Sequence, residues 1–174
     1  LDIAKQRPVV VLNREVGGLP SVLTNGGRGA ALGAEHLAKL GHEELTYLSG
    51  PEASWADGDR WRRLEEASET LGMKVRRIGP NLPTLAGGAR AAQRWSENTT
   101  TGVIAFNDMM AIGFIRQIQA LGLRVPDDVS VIGFDNSRVA QLTQPSITSV
   151  ASPLPQQGAA AVRILLSMVG GARA

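Results

Sequence analysis

The chain has 174 residues, 43% hydrophobic and 20% charged, enough to bury the core of one domain, or of one domain and part of a second. No run of about 18 apolar residues occurs, which excludes a membrane-spanning helix, and zero cysteines exclude disulfides, thiolate chemistry and cysteine metal sites. A formal net charge of +2 is too small for this segment to hold nucleic acid by itself, because its cations are dispersed apart from "RWRR" at 60–63 and "KVRR" at 74–77, pairs that solvated helix faces and strand edges ordinarily carry.

In chain order, "RPVVVLN" (7–13) and "SVLT" (21–24) read as strands. Residues 26–40 follow as a helix with Ala30, Leu37 and Leu40 on one face, closed by Gly41. "ELTYLSG" (44–50) is a strand, 58–71 a helix ended by Gly72, and "KVRRIG" (74–79) a strand entering the loop "PNLPT". A helix near 85–96, the strand "GVIAF" (102–106) and a helix over 108–121 before Gly122 come next. "DVSVIGF" (128–134) is a further strand, "SITSV" (146–150) a short extended piece and 155–169 the last helix. Strands separated by helices of about ten to fifteen residues predict βαβ units, hence a doubly wound α/β fold with helices on both faces of a parallel sheet.

Ligands of open α/β sheets bind beyond the carboxyl ends of the strands. The residues there are Asn13 and Arg14, Asn25, the loops from Gly50 and Gly79, Asn107 and Asp108, and Asp135 and Asn136. Amides and carboxylates recurring at these ends suit a hydroxyl-rich small molecule. Each also has a plainer reading. Asn107 caps the helix over 108–121 with Asp108 near its positive end, "DNS" from Asp135 is turn chemistry, and Arg60 beside Arg62 and Arg63 is a solvated side chain.

Enzymatic readings find little support. "GGRGAALG" (26–33) matches neither phosphate-binding glycine pattern and reads as helix-start chemistry. There is no GxSxG or HExxH, and His36 and His42 form neither a catalytic nor a metal pair. No catalytic residue, metal site or cofactor is expected.

Three segments carry a family resemblance. "AEHLAKLGHEELTYLSGP" (34–51), "GVIAFNDMMAIGFIRQIQALGLRVPDDVSVIGFDN" (102–136) and "QPSITSVASPLPQQGAAAVRILL" (144–166) resemble the effector-binding core of lactose-repressor-type (LacI/GalR) bacterial transcription regulators. The resemblance covers nearly the whole chain with the motifs in order. It implies a periplasmic-binding-protein-like (type I) fold, in which 1–24 end an N-terminal subdomain, 25–151 form most of a C-terminal one and 152–174 return to the first. The effector of such regulators lies in a cleft between subdomains and shifts their relative orientation. The helix-turn-helix that binds operator DNA is expected outside these residues, the assembly is expected to be a homodimer, and the location the cytoplasm.

The resemblance also implies the effector contacts: Asn13, where many members have Asp; Arg60, on the helix after "SGP"; Asn107 of "ND"; Asp135 of "GFDN"; and Leu154, where an aromatic often stacks on the ligand. Arg63 stands where the family usually has Gly, so local packing there is expected to differ. The effector implied is a small polar metabolite, a sugar or sugar derivative. The alternative from another class is the solute-binding protein of a transporter, which uses the same cleft without DNA.

Overall fold

The structure is a computed structural model that describes residue 4 and residues 6–170. The chain divides into two compact units, Leu1–Asn25 with Pro153–Ala174, and Gly26–Ser152.

The larger unit is a five-stranded, wholly parallel sheet. Its strands are β3 (Glu44–Leu48), β4 (Lys74–Ile78), β5 (Gly102–Ala105), β6 (Ser130–Asp135) and β7 (Thr148–Ala151), arranged β4-β3-β5-β6-β7. The central strand β5 is buried along its whole length, as a parallel strand covered on both faces must be. Helices α1 (Gly26–Lys39) and α2 (Trp55–Thr70) cover one face, where Ala30, Leu37 and Leu64 close over Leu45, Tyr47, Ile104 and Phe134. Helices α3 (Leu85–Ser96) and α4 (Asp108–Ala120) cover the other, where Trp95 meets Phe114 edge to face at 5.3 Å. The result is the doubly wound three-layer fold that the alternation of strands and helices predicts.

Glycines set how closely these layers approach. A Cβ on Gly88 would stand 2.0 Å from the Met110 carbonyl oxygen, and one on Gly113 2.0 Å from that of Leu85, so α3 and α4 meet backbone to backbone. On the other face a Cβ on Gly27 would lie 2.5 Å from Arg63 Cγ. The side chain at the position where the family usually has Gly is thus accommodated by a glycine on the facing helix. "GGRGAALG" therefore serves packing as well as helix initiation. Gly41, Gly72 and Gly122 each have positive φ just after a helix, the left-handed closure that their place in the sequence predicts.

Several boundaries differ from expectation. Helix α2 starts at Trp55, a turn early, because Ser54 accepts a hydrogen bond from the Asp57 backbone N–H at 3.2 Å and caps it. A one-turn helix, α5 (Arg138–Gln141), lies between β6 and β7, too short to leave a periodic signal.

In the smaller unit the expected strands shrink to β1 (Val11–Leu12) and β2 (Ser21–Val22), a parallel pair with Val11 opposite Ser21. Helix α6 (Leu154–Gly170) completes it. Buried Gln157 of α6 donates from Nε2 to Asn13 Oδ1 at 2.6 Å and to the Val22 carbonyl at 3.2 Å.

Candidate functional site

The strand order reverses between β3 and β5, since α2 leaves β3 on one face while α4 leaves β5 on the other. At such a switch point the two exits diverge and leave a crevice beyond the carboxyl ends of the strands. Arg60 lies there. Carried by the second turn of α2, it is only 7% exposed, so this member of "RWRR" is not the solvated side chain that its neighbours are. Arg62 and Arg63 pair with Asp59 and Glu66 on the outer surface.

The Arg60 guanidinium is seated between two aromatic rings. Its Cζ lies 3.8 Å from the Phe134 centroid and 4.9 Å from that of Phe106, within the range where the ring quadrupole attracts a cation. Nη1 donates to the Phe106 carbonyl at 2.5 Å. Nε is buried with no hydrogen-bond partner among the described residues. Burial pulls the Arg60 pKa below its ordinary value, opposed by the charges of Tyr47, Asp135, Asp57 and Asp59. Arginine still remains a cation, here with one hydrogen bond from its five donors among the described residues.

Asp135 ends β6 one residue after Phe134. Its backbone sits at φ 97, a region where a side chain is strained. Half-buried, its carboxyl is pushed above the usual carboxylate range, chiefly by desolvation and further by Asp108, while Arg60 and a 3.5 Å hydrogen bond from Ser152 Oγ act the other way. An acid that is both strained and desolvated, with a buried cation close enough to feel it, is an arrangement that packing alone does not reward.

Asn107 caps α4. Its Oδ1 accepts from the Met110 N–H at 2.9 Å and its Nδ2 donates to the Pro83 carbonyl at 3.2 Å. A carboxamide has two amide hydrogens and two lone pairs, so one donor and one acceptor stay free of these bonds. Asp108, 1% exposed, is fully engaged. It accepts from the Ser137 N–H at 2.7 Å and from Ser149 Oγ at 2.6 Å, tying the loops on either side of α5 to the start of α4.

Arg60, Asn107 and Asp135 thus all lie at the carboxyl ends of β3, β5 and β6 within one unit. Asn13 and Leu154 belong to the smaller unit. Asn13 has φ 57, and its Oδ1 also accepts from Thr24 Oγ1 at 3.3 Å. Leu154, 53% exposed, is the first residue of α6. His42 is hydrogen-bonded to Thr101 at 2.8 Å, at the opposite, amino ends of the strands. Among the described residues no group of three or more His, Asp or Glu side chains is placed to hold a metal ion, and no helix is long and apolar enough to cross a membrane.

Residue-by-residue reading misses Phe106 and Phe134, the seat of Arg60. A signal was available: two strands end in Phe followed by an amide and a carboxylate, "FND" at 106–108 and "FDN" at 134–136.

Comparison with known proteins places the fold and the family. The sequence model of the family described as a periplasmic binding protein-like domain matches residues 34–174. The HTH-type transcriptional regulator MalR of Streptomyces coelicolor is 37% identical over 150 residues, which span 81% of this chain and 43% of that protein. The HTH-type transcriptional repressor PurR of Vibrio vulnificus is 33% identical over 153 residues, 85% of this chain and 46% of the relative. Among solved structures, a LacI family transcriptional regulator from Enterococcus faecalis with bound ribose superposes with a TM-score of 0.90 at 29% identity, covering 99% of this chain and 64% of that one. The chain spans about half the length of the curated relatives it matches. These relatives are transcriptional regulators rather than enzymes, and they give the transporter reading no support. The chain belongs to the periplasmic binding protein-like domain family, as the effector-binding region found in LacI/GalR-type transcriptional regulators.

Proposed function

We propose that this chain is the sensing part of a bacterial transcription regulator, in which a small polyhydroxylated effector, a sugar or sugar derivative, changes affinity for operator DNA. Arg60 supplies the central contact, Asp135 accepts from effector hydroxyls, and the free donor and acceptor of Asn107 complete a polar set. Asn13 and Leu154 are assigned as further effector contacts on the family resemblance, as are the homodimer, the cytoplasmic location and a DNA-binding domain outside these residues. Residues 1–24 and 152–174 are assigned to the N-terminal subdomain of that family and 25–151 to the C-terminal one.

The observation that carries this reading is the Arg60 guanidinium, seated between Phe106 and Phe134 with its buried Nε unpaired among the described residues. Taking a charge out of water without full pairing is unfavourable, and an oxygen-rich ligand offers the missing acceptors in paired geometry. The same guanidinium can take a vicinal diol or a carboxylate; Asp135 beside it favours the neutral, hydroxyl-rich choice. For signalling, the effector must bind one conformational state more tightly than the other, since equal affinity shifts nothing.

The test is a thermal-shift screen of the intact protein against sugars, sugar phosphates and nucleobases. A ligand at about 100 times its Kd stabilises the folded state by about 2.7 kcal/mol, which such a screen detects. A sugar that stabilises the wild type and not Arg60→Ala supports the reading; stabilisation by nucleobases alone contradicts the ligand class.

A further inference from the structure

Asp57, in the first turn of α2, is a carboxylate only 1% exposed. Helix initiation does not call for that burial, because Ser54 already supplies the cap and an acidic side chain favours a helix start from an exposed position as well. Its oxygens are instead committed across the fold. Oδ1 accepts from the Tyr47 hydroxyl at 2.8 Å and from the Gly50 N–H at 2.6 Å, and Oδ2 is ion-paired with Arg77 of β4. The Arg77 guanidinium is steadied in turn over the Trp61 ring at 5.5 Å, and that ring stacks on Tyr47 at 6.0 Å.

The Gly50 contact leads back to Arg60. A Cβ on Gly50 would lie 2.7 Å from two carbons of the Phe106 ring, so the Gly50 backbone rests directly against that ring. Phe106 is also fixed through its backbone, its N–H donating to the Leu48 carbonyl at 2.9 Å, and it seats Arg60 through both its ring and its carbonyl. We propose that Asp57 is a positioning residue: by anchoring Gly50 against Phe106 it holds the aromatic seat of Arg60 in register, and it touches no effector itself. A long side chain with several rotatable bonds loses substantial entropy when fixed, and a seat held before ligand arrives removes that loss from the binding step. The proposal rests on the reading of Arg60 as the effector contact.

The test reads Arg60 directly and without effector, by 1H–15N NMR of its Nε–H. In the wild type this buried proton, close to the Phe134 face, gives an upfield-shifted and slowly exchanging peak, identified by its disappearance in Arg60→Lys. Asp57→Ala is expected to lose both the shift and the protection. Ile118→Ala, a cavity variant in the last turn of α4, at the far end of that helix from Asn107, is expected to retain both despite lower stability. A folded Asp57→Ala with an unmoved Arg60 peak overturns the proposal. Should Asp57→Ala fail to fold, Gly50→Ala leaves the carboxylate in place and carries the same readout, with an unmoved peak again decisive against it. Because no effector is used, an effector-insensitive Arg60→Ala would defeat the reading of the site, whereas an unmoved peak would defeat only the anchoring role.

Discussion

The Arg60 guanidinium carbon lies 3.8 Å from the centre of the Phe134 ring, and Phe134 directly precedes Asp135, whose strained backbone ends β6. One strand end thus supplies both the ring that seats the cation and the nearby acid. The arrangement concentrates three unfavourable features: a buried arginine, a desolvated carboxyl and a left-handed aspartate. Cores avoid each of these, and binding sites retain them.

Asp135→Asn is expected to make the protein more stable and a worse binder. The folded-state pKa of Asp135 is raised, mainly by burial, so the native state binds its proton more readily than the unfolded chain. Stability from this group is therefore lost as pH rises from the ordinary carboxylate value through the raised one, and the loss is complete above it. The amide removes this pH-dependent penalty, and asparagine tolerates positive φ better than most residues. Urea denaturation should show Asp135→Asn ahead of wild type near pH 7, with the gap narrowing toward about pH 3, below the ordinary carboxylate value. A less stable variant at neutral pH would contradict this assignment.

Asp108 carries the opposite signature. Asp108→Ala leaves the Ser137 N–H and the Ser149 hydroxyl without their acceptor in a half-buried place. It is expected to lower unfolding free energy by about 2–4 kcal/mol, measured by chemical denaturation. A loss of a few tenths would mean that Asp108 serves only the helix dipole.

The backbone contact between α3 and α4 predicts that Gly88→Ala and Gly113→Ala are each severe. The added methyl would meet a carbonyl oxygen at 2.0 Å in either case, and neither backbone can swing away as a flexible side chain would. Overpacking ordinarily costs about 1–3 kcal/mol, and these positions are expected at or above the top of that range by thermal or urea unfolding. Gly58, with nothing within 4 Å of its Cβ position, is the control and should accept Ala with no loss.

The sheet and its longer helices were legible because those elements of the larger unit repeat a period, and Gly41, Gly72 and Gly122 mark the helix ends. The start of α2 was hidden because Asp57 and Gly58 interrupt its apolar pattern, while the cap at Ser54 is a single hydroxyl. At the site, Asn107 and Asp135 stood out as polar residues closing apolar strands. The burial of Arg60 did not, since "RWRR" reads as charge on a surface. It depends on Phe106 and Phe134, which are distant in sequence and meet only when β5 and β6 pair, and on Gly26, where a Cβ would lie 3.1 Å from Arg60 Nε. The role of Asp57 likewise depends on Arg77, which reaches it from another strand.

The central claim is that Arg60 is a buried cation kept for a ligand rather than for stability. Arg60→Met keeps an unbranched apolar stem but removes the guanidinium and with it every donor, and exchanging a buried charge for an apolar side chain is often neutral or stabilising. Calorimetric titration of the intact protein with the sugar found in the screen tests the claim most directly. Saturable binding by wild type and none by a folded Arg60→Met of equal or higher thermal stability is the predicted result; unchanged affinity in the variant would contradict it.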